Sequence, residues 1–211
     1  MLSRIFIPLF ILALSASATA QTTVRTETIR RPAAPEQSST GNFKSNGRLL
    51  ARSMHTAPPE ITGDLSRLPP AVAQMRDKIL SAARTGNLQT LLAVMRTSGT
   101  MPVFSYSEDK DPIAYWKMNY PDTDGVEVLA TLISILEAPF AHVEQNTPQE
   151  VYLWPYFARM PLAALSPEQK VELFRIVTGG DYKEMVNVGA YSFFRIGISP
   201  DGSWQFFVAG E

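Results

Sequence analysis

The chain has 211 residues, 19 Lys and Arg against 20 Asp and Glu, and no cysteine. That length suits one folded domain. The missing cysteines exclude disulfides, thiolate catalysis and cysteine metal sites, and the balanced charge excludes the concentrated basic face of a nucleic-acid surface.

Residues 1–20 read as a secretory signal peptide. Arg4 supplies the positive start, Ile5 to Leu14 the apolar run, and Ala18-Thr19-Ala20 the small-residue cleavage site. The apolar run is about ten residues, whereas a helix crossing a bilayer takes roughly 20. Cleavage near Ala20 predicts a periplasmic or secreted chain that begins at Gln21. No later stretch is apolar and long enough to span, so no membrane span is expected after cleavage. The leader carries one of the 19 basic residues, which leaves 18 against 20 acidic ones.

Residues 21–67 are rich in Ser, Thr, Pro, Gln and Arg, and Pro32, Pro35, Pro58 and Pro59 interrupt any period. Such a segment buries too little apolar area to offset its conformational entropy. A disordered linker is expected there. Its basic residues (Arg25, Arg30, Arg31, Lys44, Arg48 and Arg52) are read as solvated, with an anionic envelope surface as the alternative partner.

Residues 68–211 are expected to form a single α+β domain: about five or six helices packed on a small, mainly antiparallel sheet that ends in a C-terminal hairpin. Pro69-Pro70 leads into a helix over 71–84, with Val72, Met75, Ile79, Leu80 and Ala83 on one face. Gly86 suits its left-handed end. Asn87 caps a second helix from Leu88 to Arg96 with Leu88, Leu91, Leu92 and Met95 inward. This pair has the look of one ankyrin-type helical hairpin, but a solenoid needs about three copies. Pro102 to Ser107 has strand character. Asp111 and Pro112 start a short helix anchored by Ile113, Tyr115 and Trp116, and Tyr120 to Gly125 is turn chemistry. The acidic residues Glu108, Asp109, Asp111, Asp122 and Asp124 lack the spacing of a calcium loop and are read as caps and turns.

The most apolar helix is predicted from Asp124 to Glu137, with Asp124 and Glu127 as a capping arrangement and Val126, Leu129, Leu132, Ile133 and Leu136 inward. Phe140 to Glu144 reads as a strand and Asn146-Thr147-Pro148 as a turn. The aromatic run Gln149 to Phe157 follows as a second strand, with Tyr152, Trp154 and Tyr156 alternating on one face. Pro155 cannot donate to a ladder, so that strand is expected at an edge or bent at Pro155. Ser166, Pro167 and Gln169 open the clearest helix, with Val171, Phe174 and Val177, or Leu173 and Ile176, inward. Thr178-Gly179-Gly180 stops it, and Asp181 caps a last short helix through Met185. Ala190 to Ile198 and Ser203 to Val208 form the hairpin around Ser199-Pro200-Asp201-Gly202.

Little of this carries chemistry. His142 is the one histidine of the predicted domain, so a zinc site lacks ligands, and no phosphate-binding, dinucleotide-binding or serine-nucleophile motif occurs. No cofactor is expected. Two site candidates remain. Tyr152, Trp154 and Tyr156 would stack on a cell-wall glycan, a peptide or another envelope protein if exposed, and fill the core if not. His142 with Glu144 or Glu150 would serve acid–base chemistry in a hydrolase. A non-catalytic binding or structural module of the periplasm is the preferred reading, and the hydrolase the alternative.

Three stretches, Asp111 to Trp116, Thr147 to Phe157 and Pro200 to Glu211, resemble segments of a group of small, uncharacterised exported proteins of alphaproteobacteria. The resemblance spans Leu68 to Glu211 and implies a periplasmic address and no activity. The terminal Asp-Gly-Ser-Trp strand also resembles the last strand of NTF2-like cone folds.

Overall fold

The computed structural model describes residues 59–210. The predicted signal peptide and the linker up to residue 58 lie outside the described residues. Within them, an α+β architecture is observed: six α-helices and a five-stranded antiparallel sheet whose last two strands are the C-terminal pair. The strands are β1 (Glu60–Thr62), β2 (Phe140–Val143), β3 (Val151–Trp154), β4 (Arg195–Ile198) and β5 (Trp204–Val208), and their spatial order is their order in sequence. The helices are α1 (Pro70–Arg84), α2 (Leu88–Met95), α3 (Pro112–Asn119), α4 (Glu127–Leu136), α5 (Pro167–Leu173) and α6 (Gly179–Val188).

The order has a simple consequence. β2–β3 and β4–β5 are joined by short turns, whereas the two long connections supply the two covers of the sheet. The β1–β2 connection contains α1 to α4. These pack on the face that presents Phe140, Tyr152, Trp154, Ile196, Ile198, Trp204 and Phe207. The β3–β4 connection contains α5, α6 and two 3-10 turns, Tyr156–Arg159 and Leu162–Ala164. It packs on the opposite face with Ala141, Val143 and Leu153. Strand alternation sorts the side chains: Tyr152 and Trp154 point one way, Val151 and Leu153 the other.

Local chemistry starts most helices where the sequence predicts. Asn87 accepts from the Gln89 N–H at 2.8 Å, Asp111 Oδ1 from Ile113 N–H at 3.0 Å, and Ser166 and Gln169 form a reciprocal capping box. Arg76 locks α1 to α4. It is the one buried charged side chain among the described residues, and its Nε and Nη2 both donate to the Leu136 carbonyl, at 3.0 and 2.9 Å. That carbonyl belongs to the C-terminal turn of α4, where a cation is favoured.

Several sequence expectations are corrected. β1 and a 3-10 turn (Leu65–Arg67) lie inside the stretch read as linker; three residues pairing along β2 give too short a pattern to recognise. Of the two placements expected for β3, the edge is corrected and the bend at Pro155 is observed: β3 is the central strand, its ladder ends at Trp154, and the chain turns at the cis Trp154-Pro155 bond into a 3-10 turn. Pro102 to Ser107 contributes only a parallel bridge, in which Val103 N–H donates to the Gln205 carbonyl at 2.9 Å and Phe207 N–H to the Val103 carbonyl at 2.8 Å. α4 begins at Glu127, and the expected Asp124–Glu127 cap does not form. Asp124 sits in the left-handed region and binds Lys117 Nζ at 2.8 Å, while Val126 is exposed. Of the two inner faces expected for α5, that of Leu173 and Ile176 is observed: Val171 and Phe174 are exposed, while Leu173 is buried, Ile176 packs against the core and Val177 joins it beyond the helix end. Gly179 and Gly180 do not stop a helix but open α6, because Thr178 and Asp181 cap each other across them.

A β-bulge between β4 and β5 lets Trp204 and Phe207 share the helix-covered face. Phe206 is left on the other face, where it lies over Gly197. A Cβ on Gly197 would stand 2.4 Å from the Phe206 ring, so only glycine admits this contact.

Candidate functional site

The aromatic triad of the sequence reading does not form one platform. Tyr152, Trp154 and Tyr156 are 6%, 0% and 3% exposed. Tyr152 and Trp154 belong to the helix-covered core, and Tyr156 to the core on the opposite face. The chain leaves the strand after Trp154 and enters a 3-10 turn, so the period of two ends before Tyr156 is placed. Tyr156 instead donates its hydroxyl to Glu172 Oε2 at 2.9 Å, and burial followed by that bond raises its pKa. Trp154 fits closely against Phe140, with ring centroids 5.2 Å apart, and its indole N–H finds no acceptor among the described residues. All three rings are core.

The second candidate is partly assembled. β2–β3 pairing sets His142 opposite Tyr152, and the two rings stack at 4.2 Å with an interplanar angle of 11°. His142 Nε2 and Glu150 Oε1 are 2.8 Å apart. The other oxygen of Glu150 accepts the Asn146 N–H at 3.0 Å. The His142 bond first, and the Asn146 bond second, hold the Glu150 carboxyl below the usual glutamate range. Glu144 is not part of this group. Its backbone is left-handed, and its carboxylate lies 3.6 Å from Arg159. The hydrogen bonds of His142 and Glu150 therefore clasp the β2–β3 turn, which Thr147 closes by donating its hydroxyl to the Glu144 carbonyl at 2.7 Å. The imidazole does not line the cleft described next.

That cleft was not legible in the sequence. It is an open cavity of about 820 Å³ on the face of the sheet opposite α1 and α4, within the size range of small-ligand sites. Strand residues make its floor: Val143 of β2, Val151 and Leu153 of β3, Arg195 of β4 and Phe206 of β5. One wall is Ala158 to Pro161, the other Gly189 to Tyr191. Tyr191 is buried, which pushes its hydroxyl pKa up, and it donates to the Phe194 carbonyl at 3.0 Å, fixing that wall. The lining is mainly apolar. Its charged groups are the Glu144–Arg159 pair and Arg195.

Two of the five N–H donors of Arg195 are used: Nη1 donates to the Gly210 carbonyl and Nη2 to the Tyr106 hydroxyl at 2.8 Å. Among the described residues no carboxylate pairs with it. The only sequence signals for this cleft were Gly197 within a strand and the apolar content of both hairpin faces. Its parts come from chain segments some sixty residues apart.

Among the described residues, no group of three or more His, Asp or Glu side chains is placed to hold a metal ion, and no helix is long and apolar enough to cross a membrane. No protein-family model, curated protein or solved structure matches the chain.

Proposed function

We propose that the chain is an exported, non-catalytic binding module of the cell envelope that takes its ligand in the cleft floored by Leu153 and Phe206. One observation carries the proposal: both faces of the sheet are apolar, yet the cover on one of them leaves an 820 Å³ opening beside charged side chains. A largely pre-formed apolar concavity with a few polar groups is the ordinary form of a ligand site. The leader-like residues 1–20 support the envelope address. Of the three ligand classes, a peptide is favoured over a wall glycan. The exposed ring stack that a sugar would use is absent at Tyr152, Trp154 and Tyr156, which are core. Another envelope protein would engage the cleft through an extended segment of the same chemistry.

The second reading is a periplasmic hydrolase using His142 and Glu150, and its support is their 2.8 Å contact. Both readings are tested by titrating the purified chain with short apolar peptides and by sedimenting it with peptidoglycan sacculi. Met160 stands in the cleft wall, so a Met160→Trp variant fills the site. Binding to peptide or sacculi that this variant loses supports the module. Binding to neither sinks it. Probe turnover that disappears in His142→Ala while the cleft remains intact transfers the assignment to the hydrolase.

A further inference from the structure

The charged groups of the cleft differ in what they have left to give. Glu144 and Arg159 neutralise one another across 3.6 Å. Arg195 has no such partner among the described residues. It is a half-buried guanidinium on β4, pinned at one side by Gly210 and at another by Tyr106. Pinning lowers the side-chain entropy that ligand binding would otherwise cost. Three N–H donors remain, in a planar fork that matches a carboxylate.

The neighbouring floor is apolar and flat. Phe206 lies across Gly197, the β4 position two residues after Arg195, and Leu153 pairs with Gly197 from the other side. A ligand lying on this floor would meet a cation at one end and rings and aliphatic groups along its length. The Glu144–Arg159 pair and Gln149 lie in the lining of the same cleft. Polar groups there suit amide bonds and work against a bare hydrocarbon chain, whose burial would strip them of water without return.

We infer that the cleft recognises the C-terminus of a short peptide, with the terminal carboxylate on Arg195 and an apolar last side chain on Phe206 and Leu153. This inference rests on the cleft being the binding site and adds the substrate class and its anchor. Capture of a terminal carboxylate is a known mode of peptide recognition. Here a fixed side-chain fork takes the place of backbone donors.

The test uses the full chain and three probes: the tripeptide acetyl-Ala-Leu-Phe with a free carboxylate, the same peptide as its C-terminal amide, and decanoate. Affinities are read by calorimetry or by quenching of intrinsic fluorescence. The acid is expected to bind about ten- to a hundredfold more tightly than the amide, the range of a charge-assisted pair. Arg195→Gln should bring the acid down to the level of the amide, and Arg195→Lys should fall between. Because Arg195 also ties Gly210 and Tyr106, melting curves accompany each variant. The acid–amide ratio of the unaltered chain decides the matter even if both variants unfold.

Equal binding of acid and amide, abolished by Met160→Trp, overturns the carboxylate anchor and leaves the cleft as the site. Binding of neither peptide overturns both. Tighter binding of decanoate than of the peptide acid overturns the peptide class.

Discussion

The two faces of the sheet solve the same problem differently. Against α1 to α4 the sheet presents Phe140, Tyr152, Trp154, Trp204 and Phe207, large rings that four helices seal from water. Against α5, α6 and the 3-10 turns it presents Ala141, Val143, Leu153 and Gly197, smaller groups, with Phe206 as the one large ring. That cover closes over part of the face as a second core and leaves the rest open as the cleft. The same alternation of residues along β3 thus feeds one core on one side, and a second core with the cleft, the proposed site, on the other. Even positions of β3 are sealed in the first core, whereas Leu153, at an odd position, belongs to the second core and also borders the cleft.

Breaking the sealed face should have the largest effect. Trp154→Ala is expected to cost about 3–5 kcal/mol in urea denaturation, from lost burial and the cavity left behind. Trp154→Phe should cost much less, because the buried indole N–H has no acceptor to lose. Equal losses for the two variants would show that the N–H is satisfied. Next comes Arg76→Ala, at about 2–3 kcal/mol, since it leaves the Leu136 carbonyl buried and unpaired. A loss of stability without any change in cleft binding would confirm that the two layers are energetically separate.

Substitutions on the open face should cost less and change binding more. Gly197→Ala forces the Phe206 ring off the floor and is expected to cost about 1–3 kcal/mol while weakening every cleft ligand. Recovery of stability, but not of affinity, in the Gly197→Ala, Phe206→Leu double variant would isolate the role of the ring. The smallest effect belongs to Glu150. Its folded-state pKa is lowered, so the stability it contributes is complete above the ordinary glutamate value and is lost as pH falls through the lowered one. Glu150→Gln should therefore melt slightly below the unaltered chain at neutral pH, and the gap should close in acid. A gap that widens in acid contradicts the clasp.

What could be read from residues alone was what neighbours in sequence decide. Asn87, Asp111 and Ser166 each cap within three residues, and each cap is where the sequence placed it. Thr178 and Asp181 were equally local, but the two glycines between them carry a stop signal that outweighed the capping box. The pairing of His142 with Glu150 was also in reach, because a tight turn brings positions eight apart together. The cleft was not. Val143, Arg159, Tyr191 and Phe206 meet only once the sheet has assembled, and each is an ordinary residue in its own segment. Tyr156 fails for a related reason: alternation places a side chain only while the strand lasts, and this strand lasts four residues.

Each cover of the sheet is one unbroken length of chain, residues 63–139 on one side and 155–194 on the other. The walls of the cleft, Ala158 to Pro161 and Gly189 to Tyr191, are therefore carried by a single cassette between β3 and β4. If the cleft is the binding site, insertions, deletions or recombination within that cassette would redraw specificity in one event, and the tryptophan-rich core would be spared as long as Ile176, Phe193 and Phe194 are kept. Divergent copies of such a protein would be expected to agree in the first layer and disagree in the second, and a chimaera exchanging only 156–191 would inherit the scaffold of one parent and the taste of the other.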